Sequence, residues 1–201
     1  MKNFLSTVAL VVALVVALSG TAHAQDFGKA AAAYNAGDYA TAVQELRPLA
    51  EQGNATAQFN LGLMYRKGQG VPQDYKEALE WYRKAAEQGD AGAQFILGLM
   101  YDTGQGVPQD YKEAVEWYRK AAEQGNATAQ FSLGSMYQKG QGVLQDNVIA
   151  HMWYNMASAN GEDLGGKNRD IIAKQMTSED ISKAQAMARE CIGSNYQKCG
   201  Y

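Results

Sequence analysis

Several groupings in the 201-residue sequence have residue types and spacings that could do chemistry. Gly68-Gln69-Gly70-Val71 begins like a loop that cradles a phosphate. That chemistry places its glycines after a strand, points the next helix N-terminus at the anion, and continues Gly-x-Gly-x-x-Gly or ends in Gly-Lys-Ser/Thr. Here the run continues Val71-Pro72-Gln73-Asp74, with no third glycine and no lysine, and returns as Gly104 to Asp110 and Gly140 to Asp146. The expectation is three turns between helices, in which the glycines permit φ > 0 and stop the preceding helix.

Acyl transfer needs a serine beside a base, announced in β-lactam-active proteins by Ser-x-x-Lys and Lys-Thr-Gly. Neither motif occurs, and the Ser158-Ala159-Asn160 triplet has no partners. A catalytic zinc needs three ligands from His, Cys and carboxylates. Past residue 24 there are only His151, Cys191 and Cys199, so neither a metal site nor a cofactor is expected. His151, within Ala-His-Met-Trp-Tyr, reads as a packed side chain. Asp74 with Glu77 reads as a helix start with capping-box spacing, and Asn54 and Asn126, each followed by Ala-Thr, as helix caps and not glycan acceptors. Trp81, Trp117 and Trp153 could stack on sugars or peptides, but aromatics at repeat spacing are expected in a core.

The elements that would position these residues start after a leader. Met1-Lys2-Asn3, an apolar run from Phe4 to Leu18 and Thr21-Ala22-His23-Ala24 have the pattern of a secretory signal peptide over residues 1–24. No second apolar run follows, so no integral membrane segment is expected after cleavage, and the chain is expected to be exported, to a periplasm or outside the cell. Removing Lys2 with the leader leaves 17 basic against 21 acidic side chains and a net charge of −4. Without a basic block, nucleic acid is not expected as a partner. Cys191 and Cys199, in an oxidising compartment, read as a disulfide closing the tail; two free thiols or a redox pair are the alternatives, the latter weakened because the spacing is not Cys-x-x-Cys.

A repeat organises the rest. Residues 50–85, 86–121 and 122–157 are copies of one 36-residue unit, as Gly53, Gly89 and Gly125 mark, and such a period signals a solenoid. Each unit reads as two helices. The first is opened by Asn54, Asp90 or Asn126 and stops near Gly68, Gly104 or Gly140; the second opens at Asp74 or Asp110. Tyr75, Ala78, Leu79, Tyr82, Ala85 and Ala86 recur at helical spacing and mark its buried face. Gly62, Gly98 and Gly134 fall inside first helices, where glycine costs about 1 kcal/mol relative to alanine, so a close helix crossing is expected there. Residues 25–49 read as a shorter N-terminal repeat, since Asp38 and Ala42 precede Asp74 and Ala78 by 36, and Pro48 is expected to bend or loosen its second helix. The last copy replaces Lys112, Glu113, Val115 and Glu116 with Val148, Ile149, His151 and Met152. That apolar surface needs a cover, which residues 158–201 are expected to supply as a C-terminal helical cap.

The copies of A-x-x-G-x-A-x-A-Q-F-x-L-G-x-M-Y-x-x-G-Q-G-V-x-Q-D with A-x-x-W-Y-x-x-A resemble the Sel-one-like repeat (SLR) family. The resemblance implies an all-α, right-handed superhelical solenoid related to tetratricopeptide repeats, serving as an interaction scaffold or adaptor for a protein or peptide partner. Some secreted relatives carry a disulfide in each repeat and are linked with penicillin binding or β-lactam hydrolysis. The repeats here contain no cysteine, so that activity is not carried over. A cell-envelope hydrolase or binder acting on peptidoglycan or β-lactams is the alternative, which turnover of a chromogenic β-lactam would reveal.

Within the chain, the copies differ mainly on the first helix, at Thr56/Gly92, Asn60/Ile96, Arg66/Asp102 and Lys67/Thr103, with Ser132, Ser135, Gln138 and Lys139 in the third. Positions 56, 60, 63, 66 and 67 fall within an arc of roughly 120°. Two readings stand: drift at positions packing does not constrain, or a concave groove tuned for an extended partner. On the second, Asn60, Arg66, Lys67, Ile96, Asp102, Ser132 and Gln138 are the candidate contact residues.

Overall fold

The computed structural model describes residues 27–199; the signal-peptide reading lies outside them. The described residues contain helices and no strand. Helix α1 covers 27–35. It is followed by α2 (Tyr39–Glu51), α3 (Ala55–Lys67), α4 (Tyr75–Glu87), α5 (Ala91–Thr103), α6 (Tyr111–Ala122), α7 (Ala127–Lys139), α8 (Asn147–Ala159), α9 (Asp163–Ala173) and α10 (Ser178–Gly193). They fall into two compact units, residues up to Trp81 and residues from Tyr82 onward.

The helix starts are where the short polar residues put them. Asn54, Asp90 and Asn126 each accept from the backbone N–H three residues on, at 2.7 to 2.9 Å, which satisfies a donor the first turn leaves open. Asp74, Asp110 and Asp146 open the second helices by accepting from the N–H groups two and three residues on, at 2.8 to 3.2 Å. The reciprocal half of a capping box is not formed at Asp74: the Glu77 carboxylate accepts from Trp81 Nε1 at 3.1 Å. First helices stop at Gly68, Gly104 and Gly140 in the left-handed conformation. The turn glutamines then close back on the helix just ended: Gln73, Gln109 and Gln145 donate to the carbonyls of Arg66, Asp102 and Gln138 at 2.6 to 2.9 Å. Pro48 lies inside α2, which runs on to Glu51.

In the first unit, α2 packs on α3 around Val43, Leu46, Leu49, Leu61, Met64 and Trp81. In the second, each helix from α5 to α8 packs on its successor in sequence, and α10 packs on α8. This neighbour-on-neighbour order is that of a helical repeat array. The apolar α8 is covered as its sequence requires: His151, Met152, Trp153, Tyr154 and Met156 are buried.

Two polar ladders tie successive helices together. A glutamine buried in each first helix donates to the end of the helix before it, Gln58 to the Ala50 carbonyl, Gln94 to Ala86 and Gln130 to Ala122, each at 3.0 Å. An arginine on each of α2, α4 and α6 reaches a tyrosine hydroxyl 18 residues on: Arg47 to Tyr65 (2.6 Å), Arg83 to Tyr101 (2.8 Å) and Arg119 to Tyr137 (3.4 Å).

The α9–α10 pair keeps the register of a further repeat. Asp163 is 36 residues after Ala127, and the intervening turn, residues 174–177, is shorter than the seven residues between α7 and α8. A disulfide joins Cys191 to Cys199. It closes the tail that lays the Tyr196 ring 3.4 Å from where a Cβ on Gly125 would stand, with the Tyr196 hydroxyl accepting from Asn160 at 2.8 Å.

Candidate partner-binding face

The residues that vary between repeats lie on first helices, and the structure places them one unit at a time. In the first unit, Asn60 donates from Nδ2 to the Thr56 carbonyl, 2.8 Å away on the same helix. Arg66 is half-buried, with its Nε buried and unbonded among the described residues, and Lys67 is exposed in the last turn of α3.

In the second unit the variable residues meet tyrosines. The Tyr118 ring, carried by α6, is 1 % exposed, and its hydroxyl donates to Asp102 Oδ2 at 3.2 Å. Ser132, from α7, stands beside the same hydroxyl. Burial, the Asp102 charge and the Asp102 hydrogen bond hold the phenol well above its ordinary range, partly offset by Ser132, so it stays neutral. One repeat later the Tyr154 hydroxyl donates to Gln138 Oε1 at 2.7 Å, with Ser135 and Asn168 beside it. Burial raises its pKa too. Asp102 and Ser132 are thus brought together over one hydroxyl, and Gln138 over the next. Ile96, at the position of Ser132, is half-buried and has no polar group to offer.

These tyrosines explain the glycines inside the first helices. A Cβ on Gly98 would stand 2.7 Å from Tyr118 Cδ1, and one on Gly134 2.8 Å from Tyr154 Cδ1. Phe95 lies against the Tyr118 ring and Phe131 against the Tyr154 ring, at centroid distances of 5.9 and 5.5 Å. The sequence signal for this seat was present as Phe-x-x-Gly in the first helix with a tyrosine 20 residues on. The Arg-to-Tyr ladder was equally visible at a spacing of 18. Neither enters a helix-by-helix reading, because both are relations between helices.

The remaining chemical candidates settle into the structure. Trp81 and Trp153 are buried, while Trp117 is half-buried with the Lys120 ammonium 4.0 Å from its ring centroid. Among the described residues no cluster of His, Cys, Asp and Glu could hold a metal, and no helix is long and apolar enough to cross a membrane. His151 is 2 % exposed and its Nδ1 has no hydrogen-bond partner among the described residues. Burial, then the Arg169 charge, lowers its pKa, against a smaller opposite pull from Asp170. A folded-state pKa below the unfolded one means that protons favour the unfolded chain. Its contribution should be unchanged above about pH 6.5 and should erode as pH falls from there toward the folded value, by no more than about 1.4 kcal/mol per pH unit. Between pH 7.5 and pH 5 the urea midpoint of the wild type should therefore fall by more than that of His151→Met; parallel pH profiles would contradict this.

The family of Sel1 repeats matches residues 55–90, 91–126 and 127–162, the same 36-residue period with each unit opened at the first residue of α3, α5 and α7. A Sel1 repeat protein from Oxalobacter formigenes is 31% identical with a TM-score of 0.72, over 85% of this chain and 77% of that one. A protective antigen of uropathogenic Escherichia coli displaying an SLR fold is 33% identical with a TM-score of 0.60, over 79% of this chain but only 42% of the antigen. Cysteine-rich protein B of Helicobacter pylori shares the fold at 21% identity and a TM-score of 0.52, over 65% of this chain and 93% of that one. Comparison with curated proteins gave no match.

Proposed function

The chain belongs to the Sel1 repeat family, generally a non-catalytic scaffold fold whose members bind proteins, and from that premise we propose that it is an exported interaction module taking a protein or peptide on the faces of its first helices. The observation that carries the reading is where the repeats differ. The second-helix seats and caps are repeated from copy to copy, whereas positions 60/96/132 and 66/102/138 change between polar, charged and apolar residues. In the second unit these changes decide what surrounds each tyrosine hydroxyl, which gives a run of hydrogen-bonding groups whose pattern differs from repeat to repeat. A buried or half-buried polar group that can pair with a ligand confers selectivity, because a mismatched ligand leaves it unsatisfied.

Export is supported by the leader pattern in residues 1–24 and by the disulfide in the tail, which persists in an oxidising compartment. The net negative charge does not favour nucleic acid.

The test is to pan a random peptide display library on residues 25–201 and measure the enriched peptides against two variants, one per unit. Lys67→Glu changes an exposed charge. Asp102→Asn removes a charge while keeping an acceptor for Tyr118. At least one variant should weaken binding tenfold or more with the melting temperature unchanged. Peptides whose affinity neither variant alters would place the site elsewhere.

A further inference from the structure

The first unit holds a cavity of about 200 Å³ whose lining includes Phe27, Ala30, Tyr34, Leu46 and Asn60. Its meaning comes from the repeat register. Leu46 stands 36 residues before Tyr82 and 72 before Tyr118, at the position where every later repeat carries a tyrosine. Asn60 stands 36 residues before Ile96 and 72 before Ser132, the residue beside the Tyr118 hydroxyl. The α1–α2 turn is four residues shorter than those of the three 36-residue copies, and a shared hydrogen bond fixes its alignment: Asp38 N donates to the Ala33 carbonyl as Asp110 N donates to that of Tyr101. Ala33 thus matches Tyr101, and by the same offset Phe27 matches Phe95, Ala30 matches Gly98 and Tyr34 matches Asp102. The five lining residues are therefore the walls of the tyrosine seat, with leucine where the tyrosine would be.

We infer that this cavity is a vacant tyrosine seat that binds the phenol ring of a tyrosine on a peptide partner. Phe27 offers the ring contact that Phe95 gives Tyr118. Asn60, an amide with two acceptor lone pairs, offers the hydroxyl contact that Ser132 gives there. Tyr34 is held aside by a 3.4 Å bond to Gln69 Oε1 and an edge contact with Tyr39 at 5.3 Å. The volume suffices, since about 150 Å³ of apolar space accepts benzene. The Ala30 methyl narrows the end of the seat nearest the backbone, which an untethered ring can avoid and one attached at position 46 cannot. This inference rests on the peptide-binding reading for its biological ligand, but the seat can be probed without it.

The probe is p-cresol, the tyrosine side chain alone, with toluene as its hydroxyl-free match, each titrated into isotope-labelled residues 25–201 and followed by backbone amide shifts. Both should move amides in 27–35 and at Asn60, with p-cresol binding about fivefold more tightly, the ratio one net hydrogen bond gives. Asn60→Ala should bring p-cresol to the toluene affinity and leave toluene unchanged. Ala30→Gly with Leu46→Tyr rebuilds the seat as later repeats have it, and should abolish binding of both without lowering the melting temperature. Equal affinities in the wild type, or undiminished binding in the rebuilt variant, would overturn the inference. Panned peptides that bind while p-cresol does not would sink the seat and leave the peptide-binding reading standing.

Discussion

Replacing Gly142 with alanine is expected to lower the stability of the chain by about 3 kcal/mol or more, whereas the same change at Gly140, two residues earlier, should cost about 1 kcal/mol. The two glycines share one turn and nearly one backbone conformation, φ 68° and 71°. Both substitutions meet the same left-handed strain, so the difference isolates what the new methyl touches. At Gly140 the nearest atoms are those of Gln145, at 3.4 Å and beyond, an ordinary contact. At Gly142 the methyl would drive into the Tyr111 carbonyl and come within 2.9 Å of Lys112 N, at the first turn of α6. Those atoms belong to helix backbone and cannot swing aside as a side chain can. Gly70 meets Tyr39 and Ala40, at the start of α2, in the same way, with Ala40 N at 2.8 Å. At Gly70 and Gly142 the second glycine of the turn is thus where one repeat rests on the helix start of the repeat before it. Urea midpoints of the two alanine variants measure the contrast; equal losses would mean that only φ matters.

The second large effect is a coupling. Gly98→Ala improves helix propensity by about 1 kcal/mol, yet it is expected to destabilise by about 2 kcal/mol net, because the methyl overlaps a buried ring that has nowhere to go. Tyr118→Leu should cost about 3 kcal/mol through lost burial. Together they should cost at least about 1 kcal/mol less than their sum, since the leucine leaves the methyl room. The chain already contains that pair in Ala30 and Leu46. Strict additivity in the double-mutant cycle would mean that the glycine is not there for the ring.

Much of this architecture could be read from the residues. The period, the caps at Asn54, Asp90 and Asn126, and the stops at Gly68, Gly104 and Gly140 are local signals, and each sits where its chemistry requires. The need for a cover over α8 was written in Val148, Ile149 and Met152. What escaped the reading depends on residues distant in sequence. Gly70 was legible as a turn glycine, but its approach to Tyr39 spans 31 residues. Asp102, Ser132 and Gln138 were legible as variable positions on one arc. That they converge on tyrosine hydroxyls follows only from how neighbouring helices cross. The N-terminal tyrosine seat was hidden by a four-residue shortening of its turn, which breaks the 36-residue count at the point where Leu46 replaces tyrosine.

The most direct test of partner binding on the first helices is an amide shift map of isotope-labelled residues 25–201 with the tightest panned peptide. The largest shifts should fall on first-helix residues: Asn60, Arg66 and Lys67 in the first unit, or Ile96, Asp102, Ser132 and Gln138 in the second. Shifts concentrated on the exposed second-helix residues Lys76, Glu80, Lys112 and Glu116, with the first helices silent, would contradict it.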